Sequence, residues 1–333
     1  MTVLSSPTCS ATATAPCAGD SGRPRSAIRS ARPSVLLVVI AVAFSAFGVG
    51  CSNRSEATVD VEGAEPAGIG KEVTVPIAAV VTTVLDAGES PRGMLSRSLP
   101  TGTTQEVTLR TDHHIEQQIN DQAVRDFSPP AVTIPLTALT DEQGCELVLG
   151  NVTSSDPVLA KALRPADGSR AGLEMSEYGA ITALRLTPNT ATSDPARAAL
   201  EQAFYQAVYQ SIAFPRTPVG VGAVWTVRQR VSGSVPLDQV TTATLTDREG
   251  DLLTIALEVT QTPKVTEWEL PNNAGTLDIV DYLMHGSGVI TVDLTKPLPV
   301  SGAITVGGNQ TYKDPRSSVT LRQTLSTEVQ WGE

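Results

Sequence analysis

From residue 71 onward, apolar and polar residues alternate in short runs rich in Val, Thr, Leu and Ile, broken by Gly and Pro. A period of two is that of a strand with one buried face. The runs predict strands at 74–86, 105–118, 131–139, 145–153, 172–177, 180–187, 223–232, 238–246, 252–261, 276–284, 287–294, 300–307 and 317–330. Asp141-Glu142-Gln143-Gly144, Tyr178-Gly179 and Asp247-Arg248-Glu249-Gly250 supply the Asp and Gly that tight reversals need. Strands this closely spaced favour an antiparallel meander.

One stretch changes period. Ser193-Asp194-Pro195 reads as a helix start, with a capping side chain and Pro in the first turn. Leu200, Phe204, Val208 and Ile212 then recur every fourth residue, beside Ala203 and Ala207, until Pro215. This predicts a helix over 194–213, about 20 residues, with one apolar face laid on a sheet. Phe204, Tyr205, Tyr209, Phe214 and Trp225 fall within 22 residues and mark a packing centre or a ligand-stacking platform. Leu200, Phe204, Val208, Ile212 and Trp225 are therefore the candidate core or ligand-facing set.

The expected fold is mainly β with one long amphipathic helix: a curved, half-barrel-like antiparallel sheet over residues 71–333. A weak internal repeat suggests two duplicated multi-strand units, 100–188 and 218–297, joined by the helix. Pro100-Thr101-Gly102 with Val107–Arg110 matches Pro218-Val219-Gly220 with Trp225–Arg228. Leu139–Asp141 with Gly144 matches Leu245–Asp247 with Gly250, and Gly179–Thr182 matches Gly288–Thr291. Thr-rich strands also resemble one another by chance.

The front of the chain carries an address. Arg23, Arg25, Arg29 and Arg32 precede Val35–Val49, an uncharged run of 15 residues that is shorter than a membrane span needs. Basic, apolar, then small residues is the order of a signal peptide, over residues 1–50, and everything after it is delivered outside the cytoplasm. Gly48-Val49-Gly50-Cys51 resembles the lipobox of bacterial lipoproteins, which implies lipidation of Cys51, although Gly48 stands where that motif prefers an aliphatic residue. An uncleaved anchor and a free secreted protein are the alternatives. Residues 51–70, polar and Gly-containing, read as a tether.

Charge and cysteine content narrow this further. The net charge of −11 is the sum of a leader of +3 and a remainder of −14. An acidic body with no basic stripe excludes phosphate-backbone binding, so no nucleic-acid partner is expected. With Cys9 and Cys17 in the leader and Cys51 lipidated, Cys145 is the one thiol left, and no disulfide can hold the domain.

Phe214-Pro215-Arg216-Thr217-Pro218-Val219-Gly220-Val221-Gly222-Ala223-Val224-Trp225 resembles a recurring motif of a family of actinobacterial cell-envelope lipoproteins. Gly286-Ser287-Gly288 and Asp293-Leu294-Thr295-Lys296-Pro297-Leu298-Pro299 resemble a second signature of those proteins. The resemblance covers the second half of the chain. It implies an envelope location and a β-rich domain of unknown function, without an activity.

Catalytic chemistry is thinly represented. His113 and His114 are adjacent on a strand and point to opposite faces, His113 with Leu109 and Ile115, His114 with Arg110 and Glu116. Cys145 is a buried hydrophobe or, with an unseen His, a nucleophile. Asp281 shares the parity of Leu277, Ile279 and Leu283, so it is a carboxylate on an apolar face or its parity is misread. No catalytic, cofactor or metal set converges. The expected protein is an envelope lipoprotein binding a lipid or other hydrophobic ligand between helix and sheet, or else a structural or protein-interaction lipoprotein. The one other histidine is His285, and a cleft gathering His285 or His114 with two carboxylates would turn the reading toward an enzyme.

Overall fold

The computed structural model describes residues 72–271 and 274–332. The leader, Cys51 and the tether lie outside them. In chain order the strands are β1 (Val73–Pro76), β2 (Val81–Asp86), β3 (Thr104–Ile119), β4 (Arg125–Asp126), β5 (Val132–Thr140), β6 (Gly144–Leu149), β7 (Thr153–Ser154), β8 (Arg170–Met175) and β9 (Ile181–Thr187). After the helical segment come β10 (Val224–Val231), β11 (Leu237–Glu249), β12 (Leu252–Pro263), β13 (Glu267–Glu269), β14 (Thr276–Asp293), β15 (Ser301–Lys313) and β16 (Thr320–Trp331). Helix α1 (Pro157–Leu163) lies between β7 and β8, and α2 (Asp194–Tyr209) between β9 and β10.

All sixteen strands join one antiparallel sheet, in the order β1-β9-β8-β6-β5-β3-β16-β15-β14-β12-β11-β10-β2, with β4, β7 and β13 off this path. Alternation along each strand decides which face is covered. In β5, Val132, Ile134, Leu136, Ala138 and Thr140 are buried, and the residues between them are not. The pattern continues across the ladder: Leu109, Ile134, Val329 and Trp331 face inward together. Two large cores result. One gathers β3, β5, β6, β8 and β9 around α1 and α2. The other gathers β10, β11, β12, β14 and β15 around Leu95, Phe214 and Trp225. A smaller cluster of Trp268, Tyr312, Leu277 and Leu321 fills the far end of the longest strands.

The half-barrel with one long helix is corrected on three counts. First, the sheet is a single open sheet whose edge strands, β1 and β2, are consecutive in the chain. The span from Pro76 to Val81 holds the two edges within about 18 Å of each other. The sheet therefore curls most of the way round without closing. Second, α2 has 16 residues and stops at Tyr209. Ile212, Ala213 and Phe214 go to the second core, where the Phe214 N–H donates to Tyr178 O at 2.8 Å and Trp225 Nε1 donates to Ala213 O at 3.0 Å. Those bonds replace helical ones, and Pro215 bars Phe214 from helical geometry. A second helix, α1, starts on Asp156, whose carboxylate accepts from Leu159 N at 2.7 Å ahead of Pro157.

Third, the matched segments do not all occupy equivalent places in the sheet. The β5–β6 and β11–β12 turns occupy matching places, but Gly179 sits in the turn before β9 while Gly288 sits in mid-strand in β14. A Cβ at Gly288 would lie 2.2 Å from Ala303 O, so this position is glycine because β14 and β15 close tightly there.

Candidate functional site

Helix α2 lies against β3, β5, β9 and β16 on the inner face of the sheet. Leu200, Phe204 and Val208 project into the first core and are each at most 5% exposed. Ile212 and Trp225 belong to the second core. The five predicted residues are thus all buried but divided between two cores. A cavity of about 30 Å³ remains between helix and sheet, lined by Leu147, Leu173, Met175, Phe204, Val208, Ile212, Leu298 and Trp331, with Arg97 and Ser211 as its polar side chains. That volume is the share of one water in the liquid. Pockets that enclose organic ligands run to about 300–1,000 Å³.

Arg97 was not singled out by the sequence. It lies in the loop between β2 and β3, among serines and prolines, with no periodic signal. Its backbone N–H donates to Glu177 O at 2.7 Å, its Nη1 donates to Lys296 O, and its guanidinium stands 5.7 Å from the centre of the Phe214 ring. Burial lowers its pKa to about 10. The 293–299 segment is fixed from the other side by Gln105, which accepts from Leu298 N and donates to Leu298 O.

One grouping has the composition of a catalytic triad. Ser128 Oγ is 2.8 Å from His114 Nδ1, and His114 Nε2 is 3.5 Å from Glu116 Oε1. Asp126 accepts from Ser128 N at 2.8 Å, and the Ser128 hydrogen bonds hold its pKa down. The geometry argues for a structural clasp. Ser128 Oγ already accepts the Ile115 N–H at 3.0 Å, and Phe127 N donates to Ile115 O at 2.8 Å, so the group pins the chain after β4 onto β3. The residues after Ser128 are Pro129 and Pro130, which have no N–H to offer an oxyanion. His114 and Glu116 are nearly half exposed, where charge relay is weak.

The remaining candidates separate. His113 faces inward, with Nδ1 2.6 Å from Thr327 Oγ1, and burial lowers its pKa to about 4. Cys145 is fully buried and its thiol is pushed up to about 12, chiefly by desolvation, so it is no nucleophile. Asp281 is exposed: the ladder slips between Ile279 and Asp281, and this bulge turns Asp281 and Leu283 outward. His285 is also on the outer face, separated from His114 by β15 and β16, roughly 14 Å. Among the described residues, no three His, Cys, Asp or Glu side chains stand close enough to share a metal ion.

No family model matches the chain, and no curated protein does. Two similar solved structures are outer-membrane proteins of Vibrio cholerae. OmpT, in its trimer form, is 7% identical over 70% of this chain and 100% of that one, with a TM-score of 0.16. A loop-deletion mutant, OmpTdeltaL8, is 10% identical over 69% of this chain and 100% of that one, with a TM-score of 0.13. Scores this low do not amount to a shared fold.

Proposed function

We propose that this chain is a lipid-anchored cell-envelope protein whose β domain acts by contact with other envelope proteins, with no chemical step of its own. The observation that carries the reading is the filled space between α2 and the sheet. Phe204 and Val208, at 3% and 2% exposure, occupy the place where a hydrophobic ligand would lie, and only about 30 Å³ is left over. A ligand of lipid size would have to displace the helix and forfeit its packing, which costs about 3–5 kcal/mol for a single large side chain. With the interior committed to packing, what the domain offers is its outer surface. The signal-like leader and the lipobox-like Gly48-Val49-Gly50-Cys51 support an anchored, extracytoplasmic location.

Native mass spectrometry of the full chain extracted from its own membrane tests this. The expected mass carries a covalent lipid on Cys51 and no bound amphiphile, and cross-linking in intact cells gives discrete protein adducts. A stoichiometric lipid bound to the folded domain overturns the reading in favour of a carrier.

A further inference from the structure

We infer that the strap at 264–270, which contains β13, is a lid over the far end of the longest strands, and that it opens as a unit while the two large cores stay closed. Its side chains are exposed or half-buried except for Trp268, which is 2% exposed. The Trp268 ring lies 5.0 Å from that of Tyr312, centre to centre, and packs with Leu237, Leu277 and Leu321. The rest of the strap is fastened at the surface: β13 pairs three residues with β14, and the Lys264 N–H donates to Pro236 O at 3.0 Å. The buried residues of this cluster belong to neither large core.

The next layer inward is polar. On the same inner face, six strands carry a glutamine there: Gln117, Gln323, Gln310, Gln261, Gln239 and Gln229. Gln117, Gln323, Gln310 and Gln239 each stand two residues from a member or neighbour of the Trp268 cluster, namely Ile119, Leu321, Tyr312 and Leu237. Register places Gln323 between Gln117 and Gln310, and Gln239 between Gln261 and Gln229, while β14 interrupts the belt with Tyr282 and Met284. The belt is partly satisfied. Tyr312 Oη donates to Gln310 Oε1 at 2.6 Å, Gln261 Nε2 to Gln239 Oε1 at 2.8 Å, and Gln239 Nε2 to Tyr209 O at 2.7 Å. Gln117 Nε2, Gln229 Nε2 and the indole Nε1 of Trp268 itself are closed off from solvent and meet no acceptor.

Closure is therefore a balance. Burying the indole and covering Tyr312 and Leu321 favour it. Stripping three donors of water without giving them acceptors opposes it. Opening returns those donors to water and disrupts only a small cluster, whereas opening either large core exposes many more apolar side chains. Chains open first where few buried apolar contacts hold a segment whose backbone already meets solvent. Once open, the lid bares aromatic faces beside amides, a surface that the closed form withholds. This device is independent of whatever the outer face of the sheet contacts.

The test is deuterium uptake of the full-length protein, read by mass spectrometry across low urea concentrations. Peptides over 264–270, and those over 231–237 and 319–323 that face the lid, should exchange together, about a hundredfold faster than the centre of β12 and with one shared urea dependence. Uptake at 264–270 alone, with its neighbours as protected as β12, marks a frayed surface segment and overturns the proposal. Uptake at the β12 rate in all three peptides overturns it as well. Two variants read the cause. Gln117→Met and Gln229→Met each remove a donor that opening rewets, so each should slow exchange at 264–270 by about tenfold. Exchange that is unchanged or faster in both variants overturns the proposal, whatever the natural protein does.

Discussion

Acidification should expose His113. The side chain is 8% exposed, on the inner face of β3, and burial lowers its pKa from 6.5 to about 4. Below pH 6.5 the unfolded chain takes up a proton that the folded chain refuses until about pH 4. Stability therefore falls as pH drops through that window, and above pH 6.5 this residue adds no pH dependence. The gap between 6.5 and about 4, at 1.36 kcal/mol per pH unit, amounts to roughly 3 kcal/mol. His113→Gln removes the titration and keeps a polar group to face Thr327 Oγ1. Urea unfolding followed by tryptophan fluorescence, at about pH 7 and about pH 4.5, gives the two stabilities. The natural protein should lose about 2–3 kcal/mol more than the variant over that interval. Carboxylates such as Asp126 and Asp314, whose pKa values are lowered by hydrogen bonds, lose stability in both proteins and cancel in the difference. Parallel pH dependences would refute the burial argument, as would a His113 ring signal titrating near pH 6.5.

Three further outcomes follow from the packing. Cys145 should resist a disulfide reagent at about pH 8 in the folded protein and react at once in denaturant, because desolvation keeps it a thiol. Trp225→Phe should cost about 1–3 kcal/mol in urea unfolding, since it leaves the buried carbonyl of Ala213 without its indole donor. Ser128→Ala should cost about 1 kcal/mol by freeing the Ile115 N–H, and the natural protein should take up no fluorophosphonate; labelling at Ser128 would contradict the clasp.

Strands were legible because period-two alternation is a direct consequence of burying one sheet face. The run at 105–118 is β3 to within a residue, and that at 180–187 is β9. The failures have separate causes. Residues 74–86 read as one strand, but the chain crosses from one sheet edge to the other at Ile77–Val80, a choice made by distant partners. The gap read at Gly286 is absent, because glycine there answers a close strand approach in an unbroken β14. Helix α1 carries the same Asp-Pro start as α2, yet seven residues are too few for periodicity to register. Arg97 is invisible in the sequence because its significance lies in what surrounds it, residues brought from Glu177, Phe214 and Lys296 by tertiary folding.

The two motifs that the sequence made conspicuous turn out to be fastenings. Gly220 has Glu89 O within 1.9 Å of where a Cβ would stand, and Gly222 is left-handed at φ 82°. Around them Val219 pairs with Gly93, Glu89 N donates to Val221 O, and Gly222 N donates to Leu245 O. This ties the exit of edge strand β2 to the segment before β10 and to β11, two strands in from the edge. The 293–299 segment, between β14 and β15, is tied to β3 through Gln105 and to the β2–β3 loop through Arg97. An edge strand held only by its ladder would fray. Motif residues spent in this way are not free for ligand chemistry. Arg97, whose Nη1 donates to Lys296 O, stands where the 293–299 fastening meets α2, so the second motif closes a junction between loop, helix and sheet.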